Sequence, residues 1–389
     1  MDDVIYLAAV CAVVPGLGRA KLPRLIAKMG SAEAVFNATA AELATQGIFT
    51  DNQISNFVAN RKASLPKRIA DFCFKNNISL LSIYDKDYPY CLKNISDPPL
   101  VLYVKGSLNH EICGAAVVGS RNASAYGVKA AGIFAGALAR EGITVISGGA
   151  RGIDTAAHEA CLRAGGRTVA VLGCGLDTVY PPENRELFDR ISCQGAVISE
   201  YAPGMKPLAM NFPARNRIIV GLSAAVIVAE AARKSGAIIT ANIAADEGRD
   251  VYCVPGNIFE GTSVGCHDLI RNGAKLVDSP EDVLEDAVNW RSLFTPTAYQ
   301  PDLFAASVDA DISPREEKRE VKPKQQKVLP DNISPLGKKL WEMLGQGSLS
   351  LEELTEKSGT DFTAVSIELL ELQVAGLVAV NQAQRYHRS

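Results

Sequence analysis

Between Tyr84 and Asp278 the chain repeats one pattern: a short unbroken apolar run, a glycine-containing turn, then an amphipathic helical stretch. The runs are AAVV (Ala115 to Val118), ITVIS (Ile143 to Ser147), TVAVL (Thr168 to Leu172), AVIS (Ala196 to Ser199), AAVIVA (Ala224 to Ala229) and DVYCV (Asp250 to Val254). They are continuously hydrophobic rather than alternating, so each predicts a strand buried on both faces. Such strands, separated by helices, assemble into a parallel sheet with helices on either side. The expected fold class is α/β: a doubly wound, mostly parallel, extended Rossmann-like domain.

The flanks differ in character. Residues 1–76 read as short helices broken by glycine, an all-α, helix-hairpin-helix or SAM-like domain whose clearest piece is VPGLGRAKLPRLIAKMG (Val14 to Gly30). The tight turn Pro15-Gly16-Leu17-Gly18 before a basic helix start fits either a glycine-capped packing unit or a DNA-backbone contact. Residues 77–293 hold the Rossmann-like domain. Residues 294–333 include SPREEKREVKPKQQKVLPDN, charged and proline-bearing without an apolar period, the composition of a flexible linker. Residues 334–389 show helical patterns in LGKKLWEMLG, SLEELTEKSG (with Ser350 and Glu353 spaced as a capping box) and DFTAVSIELLELQVAG, then a β-rich LVAVN. Three helices and a β-tail predict a winged helix. The expected recognition helix carries Asp361, Glu368 and Glu371 and no Lys or Arg, which points away from major-groove reading.

With 40 Lys and Arg against 43 Asp and Glu, the 389-residue chain has no global electrostatic footprint for nucleic acid. Any anion site must therefore be a local cluster of cations. The nine cysteines are scattered without a Cys-x-x-Cys, several inside strand-like runs, and are expected as reduced core residues. The apolar start MDDVIYLAAVCAVV carries acid where a signal peptide carries base, so the cytoplasm is expected.

Ligand loops in a doubly wound sheet lie at the carboxyl ends of the strands. Here those loops are GSRNASAYG (Gly119 to Gly127), with Ser120, Arg121 and Tyr126; SGGARGIDTAAHEACL (Ser147 to Leu162), with Gly148 and Gly149; GCGLDTVYPPEN (Gly173 to Asn184); NFPARNR (Asn211 to Arg217), with Phe212, Arg215, Asn216 and Arg217; and EAARKSGAIITA (Glu230 to Ala241), with Lys234, Ser235 and Gly236. The topology brings these ends to one rim, so Arg121, Arg215, Arg217 and Lys234 are expected to share a basic pocket.

Neither the dinucleotide fingerprint G-x-G-x-x-G after the first strand nor a Walker A loop is present. Asp154 is expected to cap the helix it opens. His158, one turn later, is expected to form a structural hydrogen bond, Asp154 being the partner within reach. The remaining histidines, 110, 267 and 387, make no metal pattern, and no nucleophile elbow is present. Cations and backbone amides for phosphates, with Phe212 and Tyr126 as faces for bases, suit a strand of nucleic acid.

GSRNASAYG, SGGARGIDTAAHEA, GCGLDTVYPPEN, ISEYAPG, NFPARNRIIVGLS, EAARKSGAIITANIAADEGRDVYCVPG and LIRNGA, in this order from about Asp85 to Val277, together resemble the DNA-processing protein A family (DprA, also called Smf). The resemblance implies a protein that is not an enzyme and needs neither cofactor nor metal. It implies binding and protection of incoming single-stranded DNA, loading of the RecA recombinase in natural transformation, and homodimerisation through the Rossmann-like domain. It places Ser120, Arg121, Gly148, Arg215, Asn216 and Lys234 at phosphates and Phe212 at a base. The chain departs from the family's Gly-x-Asn-x-Leu-Ile with Gly265-Cys266-His267-Asp268-Leu269-Ile270. An alternative is a Rossmann-type hydrolase of nucleoside monophosphates, whose Pro-Gly-Gly-x-Gly-Thr-x-x-Glu loop is matched poorly by VPGNIFEGTSVG.

Overall fold

The computed structural model describes residues 2–294 apart from 15–17, 109 and 111, and, beyond them, 334–346, 349, 351–361, 364–365, 368–369, 372, 377–380 and 386–388. The Pro15–Leu17 turn, Ser350 and the expected linker from 295 to 333 lie outside the described residues. The chain divides into two compact units, Met1–Val308 and Asp309–Ser389.

The first unit begins with helices α1 (Asp2–Val13), α2 (Gly18–Met29), α3 (Ala32–Asn37), α4 (Ala40–Thr45), α5 (Asp51–Asn60) and α6 (Leu65–Lys75). Several starts are set by side-chain caps: Ser31 Oγ accepts from Ala34 N–H (3.0 Å), and Thr39 with Glu42 and Thr50 with Gln53 form reciprocal capping boxes. The chain then enters the sheet through β1 (Ile78–Ser82), passes the short α7 (Tyr90–Lys93) and returns in β2 (Val101–Gly106), antiparallel to β1.

The doubly wound part follows as β3 (Gly114–Gly119), α8 (Ala125–Arg140), β4 (Val145–Ser147), α9 (Ile153–Arg163), β5 (Thr168–Val171), α10 (Arg185–Gln194), β6 (Ala196–Ser199), α11 (Asn211–Gly221), β7 (Ser223–Glu230), α12 (Gly236–Asp246), β8 (Asp250–Cys253), α13 (Val264–Arg271), β9 (Lys275–Leu276) and α14 (Glu281–Phe294). Among the described residues these strands make one nine-stranded sheet in the order β1-β2-β6-β5-β4-β3-β7-β8-β9. It is parallel from β6 to β9 and antiparallel at β1 and β2. The six strands expected from apolar runs are β3 to β8. β1, β2 and β9 were not expected: β1 is mixed in polarity, β9 is two residues long, and β2, though its Val101–Val104 run is unbroken and buried, is not followed by a helix.

Alternation within each run sends neighbours to opposite faces. Ala116, Val118, Val226 and Val228 join a core that reaches the N-terminal helices, while Ala115, Val117, Ala225 and Ile227 join one with Phe134, Leu138 and Trp290. This two-sided burial explains why the runs are unbroken. The cysteines depart from expectation at two places: Cys91 and Cys113 are joined in a disulfide, and Cys193 is exposed. The bond from Tyr90 N–H to the His110 carbonyl (3.0 Å) brings the two paired segments together. No helix among the described residues is long and apolar enough to cross a membrane.

In the second unit α15 (Pro335–Met343) and α16 (Leu351–Ser358) are tied by Lys339 Nζ donating to the Ser358 carbonyl (2.7 Å). β10 (Val378–Val380) pairs antiparallel with β11 (Tyr386–Arg388). Leu340, Leu354, Leu369 and Val378 contribute to its core. The expected third helix is described only at 361, 364–365, 368–369 and 372.

Gly195, between α10 and β6, lies so close to the Thr168 carbonyl that a Cβ there would overlap backbone. We expect Gly195→Ala to destabilise the first unit by about 2–4 kcal/mol. Urea unfolding followed by circular dichroism checks this, and an unchanged midpoint would contradict it.

Candidate nucleic-acid interface

The carboxyl ends of β3 to β8 point to one rim. After β3 the chain winds through β4, β5 and β6 on one side, then crosses to β7 and β8 on the other. β3 and β7 thus flank the topological switch point where α/β sheets place ligands. Arg121 leaves the sheet there. It is exposed, and its guanidinium lies 5.0 Å from the centre of the half-buried Phe212 ring. Tyr180 packs against the same ring at 5.5 Å. Phe212 is seated over Gly173 at the end of β5, where a Cβ would come within 3.1 Å of the ring.

NFPARNR is not a connecting loop but the first two turns of α11. Helical spacing puts Phe212, Arg215 and Asn216, at i, i+3 and i+4, on one face, and sends Arg217 roughly 200° away from Arg215. Arg215 is buried beneath Phe212, its guanidinium 5.9 Å from the ring centre. Its Nη1 donates to the carbonyls of Gly148 (2.7 Å) and Val171, and its Nε donates to Asn216 Oδ1 (3.3 Å). Burial lowers its pKa to about 10; Asp154 opposes that shift and Arg121 adds to it. Gly148 is wedged between Arg215 and Asp154, since a Cβ would lie 2.6 Å from one and 2.7 Å from the other.

The expected pocket with Arg217 is therefore corrected. Arg217 donates to both oxygens of Glu200 (2.7 Å each) and to Asp97 (3.0 Å). Burial works against its charge, but the bonds and charge of Glu200, followed by those of Asp97, raise its pKa above the ordinary value. Arg151 pairs with Glu183, and Arg233 with Asp268 (2.9 Å). Arg121, Lys234 and Lys206 are exposed on rim loops without a carboxylate partner among the described residues. Lys206, in the loop after β6, and Tyr180 are additions that sequence reasoning did not single out. An aromatic side chain just before Pro181-Pro182 in a strand-end loop was the available signal for Tyr180.

The remaining expected residues serve the scaffold. Ser120 Oγ accepts from Asn122 N–H (3.2 Å), while the Ser120 carbonyl accepts from Ile153 N–H (3.2 Å). Gly149 has a positive φ of 69°, and its carbonyl accepts from Asn184 Nδ2 (3.0 Å). Ser235 caps α12 by accepting from Ala237 N–H (3.3 Å), with Gly236 exposed next to it. The Tyr126 hydroxyl donates to the Pro255 carbonyl (2.6 Å).

Asp154 does not cap its own helix, whose N-cap is Gly152. The buried carboxylate accepts from Ala150 N–H (3.1 Å) in the preceding turn. Burial raises its pKa, with Arg215 pulling the other way. His158 bonds not to Asp154 but to Thr168, Nδ1 to Oγ1 at 2.7 Å. The Thr168 hydroxyl donates to the Val145 carbonyl (2.7 Å), so it accepts from Nδ1–H, and burial keeps the ring neutral by lowering its pKa. His267 Nε2 lies 3.1 Å from the Gly256 carbonyl oxygen and 3.3 Å from its nitrogen. No group of three His, Cys, Asp or Glu among the described residues is placed to hold a metal.

Residues 79–288 match the family described as DNA recombination-mediator protein A. The chain belongs to this family. Protein Smf from Synechocystis sp. is 35% identical over 383 residues, which cover 96% of each chain. DNA processing protein DprA from Streptococcus pneumoniae is 50% identical over 206 residues, 53% of this chain and 73% of that one. The X-ray structure of S. pneumoniae DprA superposes with a TM-score of 0.62 at 38% identity, covering 73% of this chain and 97% of that one. In this DprA-family chain the aromatic and cationic rim groups and the buried Arg215 all fall within the matched residues.

Burial lowers the His158 pKa to about 3, from 6.5 when unfolded. The unfolded chain therefore binds the extra proton between these values, so stability is full above pH 6.5 and falls as pH drops towards 3. From this group we expect a loss of about 2 kcal/mol between about pH 7 and about pH 5. Urea unfolding at both pH values should show a flatter dependence for His158→Gln; equal dependence in the two proteins would contradict the assignment.

Proposed function

We propose that the protein is a non-enzymatic recombination mediator that binds single-stranded DNA at this rim. Arg121, Lys234 and Lys206 meet phosphates, and Phe212, backed by Tyr180, offers a face to a base. The observation that carries this reading is the uncompensated Arg121 guanidinium over the half-buried Phe212 ring, on a rim where Arg151, Arg217 and Arg233 are matched by carboxylates. A cation beside an accessible aromatic face is the combination single-strand binders use, with each base having a face to stack. The buried acid at the rim, Asp154, and the buried His158 further along α9 are held by scaffold bonds, which supports binding without chemistry.

In this reading residues 77–293 form the DNA-binding core, flanked by the helical residues 1–76 and by a winged-helix domain at 334–389. The protein acts in the cytoplasm as a homodimer through that core and passes its strand to a RecA-type recombinase. Ser120, Gly148, Gly149, Arg215, Asn216, Ser235 and Gly236 shape the site from beneath. Arg217 stays in the scaffold.

Fluorescence anisotropy with a labelled oligothymidylate and a duplex, across a salt series, tests the central claim. We expect preference for the single strand. Arg121→Ala should weaken it about tenfold or more and reduce the salt slope by about 0.7. Arg217→Ala should leave that slope unchanged while lowering thermal stability. Absence of single-strand binding at low salt would sink the proposal. RecA filament assembly on the bound strand tests the transfer step, and no acceleration would remove it.

A further inference from the structure

The loop leaving β8 carries an apolar pair that the contacts proposed above leave unused. Ile258 is 74% exposed and Phe259 90%. The loop is built to hold them out. Asn257 Oδ1 accepts from Phe259 N–H (3.0 Å) and the Asn257 carbonyl accepts from Glu260 N–H (3.2 Å), closing a turn with the pair at its tip. Its stem is fastened on two sides, by the Tyr126 hydroxyl at the Pro255 carbonyl (2.6 Å) and by the His267 ring at Gly256. Tyr126 belongs to the segment that follows Arg121, so one hydrogen bond joins this loop to the cationic rim.

We propose that Ile258 and Phe259 form a second base-contacting station on the same DNA strand, an inference that rests on the rim being a single-strand site. β8 ends on the same rim as β5, four strand spacings away, which is roughly 19 Å. The loops carrying Arg121 and Lys234 leave strands that lie between them. Aromatic station, cations, apolar station is the order that lets a single strand be followed over several nucleotides. The occupant is a base rather than a protein partner for two reasons. A two-residue tip falls far short of the apolar surface a stable protein interface covers, and the tip continues the line of unpaired cations. Tyr126 and His267 are then positioning residues. His267, standing where the family motif has Asn, fastens the loop stem.

Anisotropy with oligothymidylates of about 3 and about 20 nucleotides, using the full chain, tests this. Phe259→Ala should weaken the longer strand about tenfold and leave the shorter one unchanged. Tyr126→Phe, which removes only the hydroxyl, should reproduce that length-specific loss in part. Arg121→Ala should weaken both lengths alike. If Phe259→Ala leaves the longer strand unaffected, or weakens both lengths equally, the second station is overturned while the Arg121 site stands. A changed sedimentation coefficient with intact DNA affinity would overturn it too, by assigning the tip to a protein contact. If the Arg121 substitution has no effect on either length, the underlying single-strand reading is what fails.

Discussion

Arg215 holds its guanidinium inside the molecule, bound to carbonyl oxygens at the ends of β4 and β5 and facing Asp154. Strand ends leave carbonyls that water would otherwise satisfy, and this side chain satisfies two of them at once. It thereby fastens α11 to the sheet and, one turn earlier on the same face, fixes Phe212 under Arg121. A buried charge deprived of its partner typically costs about 3–5 kcal/mol. The exposed platform is rigid because the group beneath it has nowhere else to go.

That arrangement has an electrostatic consequence. Two guanidinium groups share one phenyl ring, and the Arg121 charge is among the causes that lower the Arg215 pKa. Asp154 offsets part of the repulsion from within the protein. A phosphate arriving at Arg121 would offset more of it from without, so the buried cation favours anion binding without touching the anion. A chain with a formal net charge of -3 can thus present a basic rim, because Arg121 stays unpaired there while Arg151, Arg217 and Arg233 are matched by carboxylates.

Much of the fold was legible in the sequence, since β3 to β8 are buried on both faces and an unbroken apolar run records that directly. β1 and β9 were not, because edge positions leave residues such as Ser79 and Lys275 polar, whereas β2 is an interior strand whose Val101–Val104 run carries the same apolar signal without a helical stretch after it. The rim was legible as a set of loops but not as a set of free charges. Whether Arg121 or Arg217 is available depends on Glu200 and Asp97, which lie 17 and 120 residues from Arg217. Helical spacing alone would have separated Arg217 from Arg215, had NFPARNR been read as a helix. Its proline at the third position is compatible with a first turn, where no backbone donor is needed.

The opening turns of α8 and α9 show why a Rossmann-like sheet here lacks a dinucleotide fingerprint. In cofactor-binding relatives of the fold, a phosphate sits on a helix amino end and uses its free N–H groups. Here the protein's own groups occupy those places, with buried carboxylates beside them. Glu230, fully buried at the end of β7, accepts from Ser124 N–H (2.9 Å) and from the Ser124 hydroxyl, while Ser124 caps α8 by accepting from Gly127 N–H (3.1 Å). Gly127 is glycine because a Cβ would lie 2.8 Å from the Glu230 carboxyl. At α9 the first N–H groups meet backbone carbonyls, Ile153 N–H that of Ser120 (3.2 Å) and Thr155 N–H that of Ala150 (3.1 Å), with the buried Asp154 carboxylate in the same turn bonded to Ala150 N–H. Both amino ends are thus answered from within the protein, and the buried carboxylates beside them repel a phosphate placed on either helix axis. In the proposed reading phosphate recognition falls to side-chain cations projecting beyond the sheet, and such a site follows a flexible backbone more readily than it encloses a compact nucleotide.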